Sequence, residues 1–162
     1  MFLIHKIRMT LKRWRLQSYY KIVYGDKVIF GKNFKSRGNF DLFVENKAKI
    51  IFGENVFINN NFSASAQKLI KIGDNCLLGE NIKIYDQNHI FKRKDIPINQ
   101  QGFSNKPVII GNNCWIGSNV TILKGVRIGN NSVIGANCLI YKDIPVNSVV
   151  KLHENLEIEE RI

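Results

Sequence analysis

The sequence predicts an all-β fold, a triangular solenoid of short parallel strands, because it repeats every six residues. From residue 110 onward the chain falls into six hexads that each begin with isoleucine, at positions 110, 116, 122, 128, 134 and 140. Glycine follows the isoleucine in four hexads, and the fifth position is small or β-branched in all six. Short strands that turn at Gly or Asn, three to a coil, satisfy both observations, since these residues tolerate positive φ at the corners. The isoleucines then form an aliphatic ladder inside the solenoid.

The six-residue period excludes an ordinary helix and an ordinary strand. A helix needs apolar residues every three or four positions, and each glycine inside it would cost about 1 kcal/mol. A single strand does not continue through six hexads with a turn signal in every one of them. The same repeat occurs upstream from Ile72 to Ile84, and weaker copies begin at Phe52 and Phe30.

Length and composition predict a cytoplasmic protein of one domain. The 162 residues are 44% hydrophobic, which is enough for an ordinary core. No apolar run approaches the ~18 residues of a membrane-spanning helix, and the stretch Met1–Ile4 is too short for the core of a signal peptide. Cys76, Cys114 and Cys138 are widely spaced and all take position five of a hexad. We therefore expect buried thiols, and neither disulfides nor a zinc site.

Basic charge is concentrated at the amino terminus. The formal net charge is +11, and residues 1–24 carry six lysines and arginines and no acid. Residues 2–20 form an amphipathic pattern, which predicts a helix that caps the solenoid, makes a peripheral contact with the inner face of the membrane, or does both. The chain thus divides into a basic helical segment 1–24, a solenoid domain 25–150 and an acidic tail 151–162. Because basic charge is densest in the terminal segment and no nucleic-acid-binding motif occurs in the solenoid, we expect no nucleic-acid partner.

The repeat is interrupted once within the solenoid domain. The chain from Ile72 to Ile110 is about twice as long as one coil of three hexads, and the excess lies in residues 85–106. A loop of this length is usually functional or disordered. His89, the only histidine of the solenoid domain, stands near its start, with Asp86 three residues earlier. Imidazole takes and returns a proton near neutral pH, which makes His89 a candidate general base and Asp86 a candidate to orient it. The alternatives are a surface histidine and a corner carboxylate that binds backbone.

These repeats carry a family resemblance. The segment CWIGSNVTILKGVRIGNNSVIGANCLIYKDIP resembles the signature of the hexapeptide-repeat acyltransferases, and the similarity extends over roughly residues 50–145. It implies a left-handed parallel β-helix with one long protruding loop, an exception to the right-handed crossover rule. It also implies a homotrimer with its site between subunits, acetyl-coenzyme A as acyl donor, no metal, and a general base at the place of His89. The most similar branch O-acetylates sugars of bacterial capsular, exo- or lipopolysaccharides.

Two acceptor-binding residues are implied by the resemblance alone. Asn61 matches a substrate-binding asparagine of sugar acetyltransferases, although three consecutive asparagines are equally typical of a corner. Trp115 matches an aromatic residue beside the acceptor or the acetyl group, and packing beneath the loop is its alternative.

Four cofactor-binding residues are implied in the same way. Ser118 and Ala136 match small corner residues that contact the pantetheine arm, and Tyr141 and Lys142 match positions close to the cofactor. Lys142 is then placed to meet a coenzyme A phosphate, or it is simply solvated. Relatives commonly close with a Gly-x-Pro-Ala-type loop, whereas here Val146 follows Asp-Ile-Pro, which leaves the exact coenzyme A contacts open.

Alternative functions remain open at this point. N-acetylation of an amino sugar is the nearest rival, but such enzymes typically carry a nucleotide-binding domain for which residues 1–50 are too few. Small acceptors such as serine or a galactoside also fit. The γ-class carbonic anhydrases share the fold but need three metal-binding histidines, and the solenoid domain has only His89. The non-enzyme alternative is a basic solenoid that serves as a binding or scaffold module.

Overall fold

The computed structural model describes residues 15–45 and 47–153. Within them the chain forms one helix over residues 15–24, followed by a three-sided coil of parallel strands from which one antiparallel hairpin projects. Expectations for residues 1–14 and 154–162, which include most of the basic helix and the acidic tail, lie outside the described residues.

Three parallel sheets form the walls of the coil, which confirms the predicted triangular solenoid. Wall A consists of β1 (Val28–Phe30), β4 (Lys49–Phe52), β7 (Leu69–Ile72), β12 (Val108–Ile110) and β15 (Arg127–Ile128). Wall B consists of β2 (Lys35–Ser36), β5 (Phe57–Ile58), β8 (Leu77–Leu78), β13 (Trp115–Ile116), β16 (Val133–Ile134) and β18 (Val149–Val150). Wall C consists of β3 (Phe40–Val44), β6 (Phe62–Ala66), β9 (Lys83–Tyr85), β14 (Thr121–Ile122) and β17 (Leu139–Ile140). We name the corners AB, BC and CA after the walls that they join.

Parallel pairing keeps successive coils in register even though the coils differ in length. In wall A Val28 pairs with Ile50, Ile50 with Ile70, and Ile70 with Val108. The third of these steps is nearly twice as long in sequence as either of the others. The following step, from Ile110 to Ile128, returns to the length of three hexads. The long coil is the interruption that the sequence predicts, and it falls at corner CA.

The isoleucine ladder fills the interior as predicted. All six hexad-initial isoleucines from residue 110 onward are at most 4% exposed, and burial of each contributes about 1.5–3 kcal/mol. Position five also faces inward, and at Cys76, Cys114 and Ser132 its side chain donates to a carbonyl of the next coil. The Cys76 thiol donates to the Gly111 carbonyl at 3.1 Å, and the Ser132 hydroxyl donates to the Pro145 carbonyl at 2.9 Å. Contact with Cys114 and burial raise the pKa of Cys76. All three cysteines are buried and free, as expected.

Asparagine provides the positive φ at corners AB and BC, whereas the second-position glycines do not. Eleven asparagines have φ between 21° and 63°: Asn33, Asn39, Asn55, Asn61, Asn75, Asn81, Asn113, Asn119, Asn131, Asn137 and Asn147. At corner BC each side-chain amide donates to the amide oxygen of the next coil at 2.8–2.9 Å, through Asn39, Asn61, Asn81, Asn119 and Asn137. The expectation that glycine shares the positive φ is therefore wrong for the second-position glycines, and holds at Gly125, which has φ of 83°. Their role is close approach, since a Cβ on Gly73 would lie 2.7 Å from the Gly111 carbonyl carbon.

The described part of the amino-terminal helix caps the first coil. Tyr20 is 5% exposed, its hydroxyl donates to the Phe40 carbonyl at 2.7 Å, and burial raises its pKa to about 12. The Tyr24 hydroxyl donates to the Leu42 carbonyl at 2.9 Å, and a 3₁₀ turn at Gly25–Lys27 leads into wall A. Among the residues described, no helix has the length and apolar character to cross a membrane. The peripheral membrane contact, and the division of the chain at residues 24 and 150, stay predictions.

We expect Gly73→Ala to lower the free energy of unfolding by about 1–3 kcal/mol, because the added methyl collides with backbone of the next coil. Gly135→Ala is the matched control at the same hexad position, where the nearest atoms are 3.0 and 3.6 Å away. We expect it to cost less. Denaturant titration followed by circular dichroism measures both, and equal losses would contradict the role given to close approach.

Candidate active site

The residues that interrupt the repeat form a β-hairpin. Strand β10 (Gln87–His89) pairs with β11 (Phe103–Asn105) in antiparallel fashion, with His89 opposite Phe103. A 3₁₀ helix at Ile98–Gln100 lies in the connecting segment. The predicted protruding loop over residues 85–106 is therefore present, and its two ends are regular structure.

His89 stands on this hairpin, outside the coil. The last strand of wall C before the interruption ends at Tyr85, and His89 ends the hairpin strand that follows. The imidazole is exposed and packs beside the Phe103 ring, with centroids 4.3 Å apart and planes inclined by 39°. In the described part of the chain neither imidazole nitrogen has a hydrogen-bond partner. Both nitrogens are thus available to a substrate, while the aromatic contact holds one face of the ring.

Asp86 does not orient His89 in the way the sequence suggested. Its side chain is 0% exposed, and Oδ1 accepts the Gln67 N–H at 2.8 Å. Oδ2 accepts the N–H groups of Lys68 and Leu69, both at 2.7 Å. The alternative of a carboxylate that binds backbone is therefore correct, with the difference that the backbone belongs to the preceding coil. Three charge-assisted hydrogen bonds compensate for the burial of the carboxylate.

The base of the hairpin is tied to the coils on both sides. The Asp86 carbonyl accepts the Lys106 N–H at 2.8 Å, and the Lys106 carbonyl accepts the Gly125 N–H at 3.2 Å. The Lys124 ammonium contacts the Ser104 hydroxyl and donates to the Ser104 carbonyl at 3.3 Å. The strand that carries His89 thus leaves from an anchored base.

Gln101 holds together the segment that connects the two strands of the hairpin, a role that the sequence did not suggest. Its Nε2 donates to the carbonyls of Arg93 and Ile96 at 2.7 and 2.8 Å, and its Oε1 accepts the Arg93 N–H at 3.1 Å. Arg93 also forms an ion pair with Asp95 at 2.5 Å. No local motif marks this glutamine, because the contacts depend on how the segment folds back on itself.

Asn61 lies in the amide ladder of corner BC. It has φ of 59°, accepts from Asn39 and donates to Asn81, both at 2.9 Å. A shallow cavity of about 350 Å³ lies beside it, lined by Asn61, Asn81, Lys83, Asn119 and Thr121. The corner role is therefore observed, and the substrate-binding role stays a prediction.

Trp115 lies on wall B, between Leu77 and Val133 of the neighbouring coils. Its side chain is 56% exposed, so it does not pack beneath the hairpin. Wall B is the wall opposite corner CA, where the hairpin leaves the coil. Within one chain Trp115 and His89 therefore face different sides of the molecule.

The four cofactor candidates form two pairs. Ser118 and Ala136 occupy corner BC on successive coils, and the Ser118 hydroxyl accepts the Glu80 N–H at 3.2 Å. Tyr141 and Lys142 occupy corner CA, where both are exposed. The pairs thus lie at opposite edges of wall C. In the part of the chain that the structure describes, no group of three or more His, Cys, Asp or Glu side chains is placed to hold a metal ion.

Comparison with known proteins connects the repeat to a family. The family described as bacterial transferase hexapeptide (six repeats) matches residues 107–142, and the hexapeptide repeat of succinyl-transferase matches residues 69–81. A hexapeptide-repeat-containing acetyltransferase from Vibrio cholerae is 31% identical with a TM-score of 0.67, covering 86% of this chain and 73% of its own. The chain belongs to the hexapeptide-repeat acetyltransferase family. No match was found among curated proteins.

Two further solved structures of this fold are similar. A galactoside acetyltransferase in complex with coenzyme A is 32% identical with a TM-score of 0.69, and the match covers 82% of this chain and 63% of the galactoside acetyltransferase. The N-acyltransferase AntD from Bacillus cereus, in complex with dTDP and 3-hydroxybutyryl-CoA, is 15% identical with a TM-score of 0.62 over 82% of this chain and 81% of its own, which shows the fold alone. This hexapeptide-repeat protein is a left-handed β-helix, as the resemblance implied.

We expect Asp86→Asn to lower the free energy of unfolding by about 2–3 kcal/mol, since an amide nitrogen would face backbone N–H groups that lose their acceptor. Asp95→Asn is the control: its carboxylate is exposed and, among the described residues, pairs with Arg93 on the hairpin, so stability should hardly change. Thermal and denaturant unfolding measure both variants. A fully stable Asp86→Asn protein that loses activity would instead restore an orienting role.

Proposed function

We propose that the protein is an acetyl-coenzyme-A-dependent O-acetyltransferase that acts on a sugar hydroxyl. The observation that carries this proposal is the exposed imidazole of His89 on a hairpin anchored at the one interruption of the hexapeptide coil. The 32% identity to a galactoside acetyltransferase whose structure contains coenzyme A supports the choice of donor and acceptor. A second structure of the Vibrio cholerae protein contains acetyl-coenzyme A.

The proposed chemistry is direct transfer with His89 as general base. A sugar hydroxyl is a poor nucleophile until its proton is removed. The imidazole takes that proton as the oxygen attacks the thioester carbonyl carbon, and backbone N–H groups stabilise the tetrahedral oxyanion. The C–S bond then breaks, and the coenzyme A thiolate takes the proton back from the imidazolium. Because the thiolate is a good leaving group, no covalent enzyme intermediate is needed.

The donor occupies the two edges of wall C in this proposal. Backbone at Ser118 and Ala136 contacts the pantetheine arm, and Tyr141 lies near the other end of the cofactor. Lys142 is exposed beside it, and its ammonium pairs with a coenzyme A phosphate.

A homotrimer completes the site in this proposal. Wall B exposes a column of apolar side chains. It includes Leu77, Trp115 and Val149, each of which is more than half exposed. Such a column favours a protein contact. With wall B of one subunit against the hairpin of the next, Trp115 flanks the acceptor at His89 of the neighbouring subunit, and Asn61 contributes to acceptor binding.

The acceptor is proposed to be a precursor or polymer of a capsular, exo- or lipopolysaccharide. Synthesis of such sugars at the cytoplasmic side of the membrane agrees with the basic segment over residues 2–20, which is proposed to hold the enzyme at that surface.

We expect His89→Ala to lower acetyl transfer by about 10²–10⁴-fold, the usual contribution of a general base. The measurement incubates purified protein with acetyl-coenzyme A and a panel of polysaccharides, nucleotide sugars, amino sugars and amino acids, and follows the acetyl group by mass spectrometry. His153→Ala, which alters an exposed histidine outside the coil, should keep full activity. Release of the product acetyl by mild alkali distinguishes an ester from an amide.

A folded His89→Ala protein with full activity would overturn the mechanism. An alkali-stable product on an amino sugar would replace O-acetylation with N-acetylation. Salt-dependent binding to generic DNA without thioester consumption on any acceptor would favour the scaffold alternative.

A further inference from the structure

Four lysines form a vertical column along corner CA. Continued two or three residues into the corner, the register of wall A aligns Lys106 with Lys68 and Lys124, and that of wall C aligns Lys124 with Lys142. The Gly125 N–H, which donates to the Lys106 carbonyl, agrees with this alignment. Successive rungs of a parallel ladder are ~4.8 Å apart. We call Lys68, Lys106, Lys124 and Lys142 the basic column. Three more cations, residues 92–94, lie on the hairpin that leaves the same corner.

The other corners do not share this charge. Among the described residues, corner AB has one cation, Lys32, and corner BC has one, Arg37. Among the corners, CA therefore carries the most positive charge, with Lys47 in addition to the column, while the cations of the walls are Lys35, Lys49, Lys71, Lys83 and Arg127. The amino-terminal charge that stands out in the sequence, residues 1–24, does not reveal this cluster. A column of lysines at one corner is not required for solubility, because scattered charges serve that purpose equally well.

Within residues 15–45 and 47–153, the basic column has no carboxylate partner. Like charges one rung apart repel one another unless an anion lies between them. The carboxylates of this corner are engaged elsewhere: Glu45 with Gln67, Asp86 with backbone, Asp95 with Arg93, and Asp143 with the Arg127 N–H. The described residues show no ion pair to any of the four lysines, and only Lys124 has a polar side-chain contact, with Ser104. Lys68, Lys106 and Lys142 are exposed.

The lower part of the column adjoins the base of the catalytic hairpin. The Asp86 carboxylate accepts the Lys68 N–H, and the Asp86 carbonyl accepts the Lys106 N–H. The strand that carries His89 begins at the next residue after Asp86. In coenzyme A the phosphates lie at the opposite end of the pantetheine arm from the thioester. An anion bound by Lys68 and Lys106, close to where the thioester must react, therefore belongs to the acceptor rather than to the donor.

We infer that the acceptor is an anionic saccharide, one that carries phosphate or carboxylate groups, and that Lys68 and Lys106 bind its charged group while His89 receives the hydroxyl proton. This inference rests on the proposed function. Ammonium groups spaced by one rung provide charge-assisted hydrogen bonds to two oxygens of a phosphate or to successive carboxylates. Lys142, two coils further on, remains the partner of the donor.

The test compares probes that share hydroxyl groups and differ in charge. Galactose 1-phosphate and N-acetylglucosamine 1-phosphate are set against their methyl glycosides, and polygalacturonate against its methyl ester, all at physiological salt. We expect kcat/KM to be at least about tenfold higher for the charged member of a pair, since a hydrogen bond to a charged group contributes this much or more.

Substitutions then test whether the preference for charged acceptors depends on the basic column. Lys68→Gln/Lys106→Gln should lower the ratio of charged to neutral kcat/KM about tenfold and leave the KM for acetyl-coenzyme A unchanged. Lys32→Gln/Lys71→Gln removes the same charge at corner AB and wall A, and should leave the ratio unchanged. All four side chains are exposed, and thermal unfolding confirms that both double variants fold.

Each contrary result has a distinct meaning. Equal transfer to charged and neutral probes, or an equal fall in both double variants, overturns this inference and leaves the proposed function standing. Absence of transfer to every probe overturns both. Binding to duplex DNA or to phosphatidylglycerol vesicles that is lost in Lys68→Gln/Lys106→Gln, without any change in the ratio, assigns the column to nucleic acid or membrane and also overturns the inference.

Discussion

The fold depends on the ladder of backbone hydrogen bonds that stacks each coil on the next. Gly111 N–H donates to the Ile128 carbonyl at 2.8 Å, and equivalent bonds recur along all three walls. This ladder requires every coil to return to the same register, which fixes inward isoleucines, glycines where backbones approach closely, and asparagines at positive φ. An inserted segment is tolerated only where it leaves and re-enters the coil without moving the rungs on either side.

Corner CA meets this requirement by closing the insertion at its base. The Asp86 carbonyl bonds to the Lys106 N–H, and both residues align with Lys124 of the next coil. The buried Asp86 carboxylate, which binds three N–H groups of the preceding coil, fixes the point of departure. The coil is thus a rigid support, and His89 is presented on a strand that contributes nothing to the ladder. Because the hairpin lies outside the ladder, substitutions in it can change the chemistry without altering the coil.

Features that depend on the six-residue period could be predicted from the sequence. Features that depend on contacts between particular coils could not. Inward positions such as Ile116 and Cys114 follow from spacing alone, so they were predicted correctly. Asp86 is close to His89 in the chain, which suggested a contact, yet its partners are residues 67–69, nearly a full coil earlier. Neighbouring members of the basic column are a whole coil or more apart in sequence. No local sequence motif therefore reveals the column. The separate faces of Trp115 and His89 likewise emerge only once the walls are assigned.

The central claim is that the coil provides the support and the hairpin provides the chemistry. Deletion of residues 87–105, with one glycine joining Asp86 to Lys106, tests it most directly, because the base is already closed by a hydrogen bond of 2.8 Å. The measurement is the initial rate of acetyl transfer, with thermal unfolding as the check that the coil persists. The account predicts a folded β-helix that coenzyme A still stabilises and whose transfer rate has fallen by about 10²-fold or more. A shortened protein that transfers acetyl at the full rate would contradict it.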